Sequence, residues 1–169
     1  LTRSSAASDV YKRQVHNNIG NTLKDQGKLN EAIDAYKQAV LLIPDTPEIH
    51  NNLGLTLKEQ GKFDEAVEAY DRALSLKPDY FEAYNNKGNA LKDQGKLEEA
   101  ILSYKKAITL FPENAYGYIN IGVAYQEQGN LNSALEAFEK SLSLKPDNAK
   151  AYYNLGNVLK EKNLSLIHI

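Results

Sequence analysis

Asparagine stands at Asn18, Asn52, Asn86, Asn120 and Asn154, at one constant interval along the chain. Neighbouring columns repeat the choice, with Asn17, Asn51 and Asn85 one residue earlier and Asn21, Asn89 and Asn157 three residues later. A carboxamide offers two N–H donors and a carbonyl acceptor without net charge. A row of them can pair with successive peptide units of an extended ligand without reading its side chains. Asparagine is a mediocre residue for a helix interior, because its amide competes for local backbone bonds. A helix that needed only stability would hold something else, so the columns point to a peptide-binding ladder; the alternative is that near-duplicate units inherited the residue. A second column, Lys24, Lys58, Lys92 and Lys160, suits the carboxylates of a ligand. Each of these lysines also falls near a helix C-terminus, where it answers the dipole, and that reading is preferred.

The other reactive residue types do not assemble into an active site. The chain has no cysteine, which removes thiol nucleophiles, disulfides and zinc–thiolate sites together and leaves the redox compartment open. H-E-x-x-H, the P-loop pattern and G-x-G-x-x-G are missing. Ser75, Ser103, Ser133, Ser141 and Ser143 have no histidine at plausible reach. His16 and His50 share a column with Tyr84, Tyr118 and Tyr152 on an apolar stripe, so packing accounts for them better than metal binding or catalysis. The expectation is no catalytic residue, no metal site and no cofactor.

What would position the ladder is a repeat. Gly20, Gly54, Gly88, Gly122 and Gly156 keep the same step as the asparagines, and Gly27, Gly61, Gly95 and Gly129 keep it in a second phase without insertion. Ala32, Ala66, Ala100 and Ala134 follow, then Tyr36, Tyr70, Tyr104 and Phe138, then Pro44, Pro78, Pro112 and Pro146. Each unit reads as two helices. Ile49, Leu53 and Leu57 lie on one stripe, Gly61 and Lys62 interrupt it, and Phe63, Ala66, Val67, Tyr70, Ala73 and Leu74 resume helical spacing. Proline lacks an N–H and restricts its predecessor, so Pro78 ends the second helix. Thr46 and Pro47 supply an N-cap oxygen and a first-turn proline. Glu31, Glu65 and Glu99 open second helices and Lys77 and Lys145 close them, as the dipole favours. A glycine inside a helix costs roughly 1 kcal/mol against alanine, so the first glycine column must serve close helix approach. Gly54 is expected to lie against Ala66, with Leu53, Leu57 and Tyr70 filling the flanks.

These columns together resemble the tetratricopeptide repeat, a helix-turn-helix unit whose period matches the step seen here. The resemblance covers about Val15 to Asn163, with two departures. The usual tryptophan column holds His16, His50, Tyr84, Tyr118 and Tyr152, and Lys87 stands where Ile19, Leu53, Ile121 and Leu155 stand elsewhere, which predicts a weaker hairpin there. The resemblance implies an all-α, right-handed superhelical solenoid of about nine helices whose first helices line a concave groove for extended peptides. Asparagine is common at the ladder position in ordinary repeats of the family. Large protein O-linked sugar transferases of the family are similar in carrying an asparagine ladder within a repeat arm.

Both ends look foreign. SSAASDVYKRQ at Ser4 to Gln14 matches a translated transposon mosaic-end sequencing adapter, and LSLIHI at Leu164 to Ile169 matches its reverse complement. The expected organisation is residues 1–14 and 164–169 adapter-derived, repeats at 15–46, 47–80, 81–114 and 115–148, and one first helix at 149–163, with the gene running on in both directions. Setting aside Arg3, Lys12, Arg13 and Asp9 leaves 17 basic and 21 acidic side chains of the original 20 and 22, a mildly acidic body unsuited to nucleic acid. No apolar run approaches the ~20 residues of a membrane span. Protein or peptide segments are the expected partners, with weak self-association through uncapped ends that expose Tyr152, Leu155 and Leu159. Two functions follow: a scaffold binding an extended peptide, or the substrate-recruiting arm of a larger enzyme, foremost a protein O-glycosyltransferase. The compartment stays undetermined, with the cytoplasm preferred.

Overall fold

A computed structural model of the chain describes the backbone of residues 3–167 and the side chains of residues 14–163. The foreign ends expected at 1–14 and 164–169 lie, apart from Gln14, outside the described side chains. The described residues form nine α-helices and no strand: α1 Arg3–Asp25, α2 Leu29–Leu42, α3 Pro47–Glu59, α4 Phe63–Leu76, α5 Phe81–Asp93, α6 Leu97–Leu110, α7 Ala115–Glu127, α8 Leu131–Leu144 and α9 Ala149–Ile167. α1 begins upstream of Val15 and α9 passes Asn163.

The turn inside each hairpin is set by the second glycine column. Gly27, Gly61, Gly95 and Gly129 have φ between +73 and +80°, a left-handed conformation that costs a side-chain-bearing residue roughly 1–2 kcal/mol. At each turn the glycine N–H reaches a carbonyl three residues back and the next N–H reaches five back, as in Gly61 N to Lys58 O and Lys62 N to Leu57 O, both 2.9 Å. This paired closure satisfies the last carbonyls of the first helix and aims the chain into the second. Pro47 occupies the first turn of α3 and Thr46 its N-cap, but the Thr46 side chain makes no capping bond; its carbonyl instead accepts from Ile49 N at 3.2 Å.

The first glycine column sits under the aromatic ring of the second helix. A Cβ on Gly20, Gly54, Gly88 or Gly122 would lie 2.6, 2.7, 2.5 or 2.5 Å from Cε1 of Tyr36, Tyr70, Tyr104 or Phe138. The expected neighbour of Gly54, Ala66, is therefore corrected: Tyr70 presses its ring onto the glycine rather than filling a flank. All four rings are fully buried, and each contributes about 1.5–3 kcal/mol by leaving water, enough to offset the glycine's helix penalty of roughly 1 kcal/mol.

The chain divides into two compact units, Leu1–Asn86 and Lys87–Ile169. The boundary falls inside α5, at the lysine that replaces an apolar residue of its column. In the first unit Ala73, Leu74 and Ala83 form a buried cluster with Tyr80 and Tyr84 against it. In the second, Ile119, Ala134, Phe138, Ala151 and Val158 form the cluster, and Leu155 packs on it. Leu155 is thus half-buried rather than exposed, because it faces α7 and α8, whereas Tyr152 and Leu159 of the same helix are exposed as expected. Gly156 differs from its four equivalents in having no atom within 4 Å of a Cβ. One substitution should therefore have opposite signs along the column. Gly54→Ala is expected to lose about 1–2 kcal/mol through overpacking, and Gly156→Ala to gain about 1 kcal/mol from helix propensity alone. Urea denaturation of the two variants checks both signs.

Candidate functional site

The asparagine columns are brought together by the stacking of first helices. In the first unit Asn52 Nδ2 donates to Asn17 Oδ1 at 3.3 Å and, more weakly, to Asn21 Oδ1 at 3.5 Å. Asn86 Nδ2 donates to Asn51 Oδ1 at 3.0 Å. Asn52 and Asn86 therefore each reach back to the residue before the ladder position of the preceding repeat. Asn18 accepts from Gln14 Nε2 at 3.1 Å within α1. In the second unit the residue preceding Asn120 is the buried Ile119, which offers Asn154 no acceptor. Asn154 Nδ2 accordingly has no hydrogen-bond partner among the described residues. Asn120 is half-buried on α7.

The Asn21, Asn89 and Asn157 column separates from the ladder. Tyr36 OH donates to Asn21 Oδ1 at 2.6 Å and Tyr104 OH to Asn89 Oδ1 at 2.8 Å. In both hairpins the asparagine just after the first-helix glycine is the hydroxyl acceptor of the buried tyrosine, a structural task for those carbonyls. The partner changes with the ring. Opposite Phe138, which has no hydroxyl, the same position holds Val123. Opposite Tyr70 it holds Leu55, and the buried Tyr70 hydroxyl has no partner among the described residues. This pairing was readable as Tyr with Asn and Phe with Val, but the asparagine repeat masked it. Asn157 is exposed.

Lys24, Lys58 and Lys92 each lie in the last turn of a first helix, where a positive charge complements the dipole. Lys92 also lies 3.2 Å from Asp93 and 3.4 Å from Glu127 of α7, and Gln126 donates to Glu161 at 3.0 Å. The column thus ties one first helix to the next. Lys77 and Lys145, at the ends of α4 and α8, set their ammonium groups 4.7 and 5.5 Å from the ring centroids of Tyr80 and Tyr116. His50 is buried, with Nε2 2.7 Å from the Pro44 carbonyl oxygen. No cluster of three or more His, Asp or Glu among the described residues could hold a metal ion. Among the described residues no helix is long and apolar enough to cross a membrane.

Tandem hairpins locked by glycine–aromatic contacts, with their first helices laced by side-chain amides, define an all-α repeat scaffold. The model for the TPR repeat matches residues 20–61, 56–95, 88–129 and 127–163; the chain belongs to the tetratricopeptide-repeat family. Among solved structures it is similar to a MamA protein, with 31% identity, 86% of this chain and 85% of that one covered, and a TM-score of 0.80. MamA from Desulfovibrio magneticus RS-1 aligns at 26% identity over 90% and 86% of the two chains, with a TM-score of 0.82. The first TPR of Spaghetti (RPAP3), bound to the HSP90 peptide SRMEEVD, shares the fold at 23% identity over 69% and 93%, with a TM-score of 0.67. No curated protein matches the chain. The chain is a protein-interaction scaffold rather than an enzyme.

Two outcomes follow from the buried phenols. Tyr36→Phe and Tyr104→Phe should each lose about 1 kcal/mol, whereas Tyr70→Phe, which removes an orphaned hydroxyl, should be neutral or gain up to about 1 kcal/mol; urea midpoints report the difference. Burial pushes the Tyr36 phenol up to about 12, against a small opposing effect of the Thr56 hydroxyl, and pushes Tyr70 and Tyr104 up as well. Unfolded tyrosine releases its proton near pH 10, so above that pH the unfolded chain binds fewer protons than the folded one and stability falls. Thermal midpoints should be unaffected by these phenols below about pH 10 and drop above it. Complete phenolate absorbance near that pH, with the helical signal intact, would show the three rings to be accessible.

Proposed function

We propose that the chain binds an extended polypeptide through the asparagine ladder of its first helices, with Asn18, Asn52 and Asn86 serving in the first unit and Asn120 and Asn154 in the second. The observation that supports this is the direction of the rungs. Asn52 and Asn86 spend one donor each on the preceding repeat, which fixes the orientation of their own Oδ1 atoms. A carbonyl held in place by its own amide is a preorganised acceptor, which lowers the ordering cost of binding. A ligand's backbone N–H donates to it whatever side chain that residue carries. Lys24, Lys58 and Lys92 border the ladder and favour a ligand with carboxylates. A scaffold of similar fold holds an HSP90 peptide, which supports this reading.

In this reading the binding body is residues 15–163, with repeats at 15–46, 47–80, 81–114 and 115–148 and a further first helix at 149–163. Asn157 is an accessory contact, and Asn21 and Asn89 act by fixing the ring beneath the ladder. Weak self-association arises at the exposed Tyr152 and Leu159.

The test uses peptides selected from a random-sequence display library on the intact chain, then the triple variant Asn52→Ala, Asn86→Ala, Asn120→Ala. Each lost hydrogen bond is worth about 1 kcal/mol, so fluorescence anisotropy should show affinity falling by at least tenfold while helicity is kept or rises. Unchanged affinity with raised helicity would leave the ladder a purely inherited feature.

A further inference from the structure

α8 begins differently from the other second helices. α2, α4 and α6 carry acidic residues in their first turns, with Glu31, Glu65 and Glu99 in one column, and the lysine that precedes each helix makes no side-chain cap. α8 has no acidic residue in its first turn. Ser133 stands in that column, and Asn130 Oδ1 accepts from Ser133 N at 3.3 Å. A neutral cap has taken over from a carboxylate, so the helix keeps its start while one negative charge leaves the surface. Ser133 lines a cleft of about 230 Å³ formed within the second unit by α6, α7 and α8. Ile108, Tyr118, Ile121, Tyr125 and Ala137 make the cleft apolar, and Lys105, Glu136 and Lys140 stand exposed at its edge. In the first unit the positions of Tyr118 and Tyr125 hold His50 and Leu57. Those two are buried, whereas the tyrosines are half-buried and line open space. The charges differ as well. Lys37 and Arg72 are matched in the first unit by Glu65 and Glu68, but Lys105 and Lys140 are matched only by Glu136.

We infer that this cleft binds a small aromatic carboxylic acid in its anionic form. Its volume lies below the ~300 Å³ at which sites for drug-sized ligands begin, so it takes one ring with a short tail rather than a peptide segment. The ring lies against Tyr118 and Tyr125, in the offset or edge-on contacts that aromatic pairs favour. The carboxylate stays at the edge, where Lys105 and Lys140 leave a net positive charge and the hydroxyls of Ser133 and the two tyrosines are available as donors. A glutamate in the Ser133 column would cancel that charge. Asn120 and Asn154 do not line the cleft, so the site is separate from the asparagine ladder and takes a ligand of a different class.

The probe is indole-3-propionate. The chain has no tryptophan, so the anisotropy of the indole emission reports the probe alone as the whole chain is titrated in. The expected result is saturable one-to-one binding, with the uncharged indole-3-propionamide about tenfold weaker because it loses charge-assisted hydrogen bonds. Lys105→Gln combined with Lys140→Gln should bring the acid down to the level of the amide. Ser133→Glu should also weaken the acid about tenfold, while the thermal midpoint holds or rises, since a first-turn carboxylate suits the dipole; lost binding is then not lost folding. The triple asparagine variant should bind the probe as the unaltered chain does. No saturation up to the solubility limit of the probe, equal affinity for acid and amide, or binding unmoved by Ser133→Glu would each overturn the assignment. Tighter binding of acetyl-Asp-Phe-amide, lost in the same Ser133→Glu variant, would give the cleft to side chains of a partner protein and overturn it too.

Discussion

The contact between a glycine of one helix and an aromatic ring of the next is the constraint on which the rest of each hairpin depends. Because the ring lies nearer to the glycine than any side chain would allow, the two helices have one axial offset and one rotation that satisfy it. Interiors are packed as densely as organic crystals, so a half-turn slip cannot be absorbed. The spacing from glycine to ring is the same in all four hairpins, from Gly20 and Tyr36 to Gly122 and Phe138, and the left-handed glycine turn between them fixes the length of the connection. Once ring and turn are in place, the phenol oxygen arrives beside the residue that follows the first-helix glycine. That position must then answer a hydroxyl with an acceptor, as Asn21 and Asn89 do, or stand opposite a ring that has none.

The same constraint separates two kinds of asparagine that look alike along the chain. Those that follow the glycine work inward, on the ring of their own hairpin. Of those two residues before the glycine, Asn52 and Asn86 work sideways, on the preceding repeat, and their donors run the same way. Amides held in this way are rigid, which is what a surface needs if it is to meet a ligand with little reorganisation. The lysines close by do a similar double duty, since Lys92 satisfies the end of its helix and also meets Glu127 of the next first helix.

Most of the fold was legible because repetition multiplies weak signals. One glycine at a helix end is ambiguous, but Gly27, Gly61, Gly95 and Gly129 in a single phase are not, and every helix follows from them. What escaped was the direction of the close contacts. A small residue opposite a small residue is the usual sense of a glycine in a helix interface, and it placed Ala66 over Gly54; the ring of Tyr70 is there instead, because a glycine leaves a shallow dish that a flat ring fills better than a methyl does. Leu155 was misjudged for a related reason. A stripe was read as if the helix had one apolar side, whereas α9 has a seated side and an outward side. Within the candidate site the ladder was visible as a column, but the division of labour between columns depends on distances across helices, which spacing along the chain does not contain.

The strict phase has a consequence for how such a chain can change its length. An α-helix turns by about 100° per residue, so the insertion of a single residue between Gly54 and Tyr70 would carry the ring away from its glycine and shift the paired turn closure at Gly61. Insertion or loss of one whole repeat disturbs neither, since every contact described links a residue to its own hairpin or to the adjoining one. A gene encoding this architecture is therefore brittle to small insertions and indifferent to duplication of entire units.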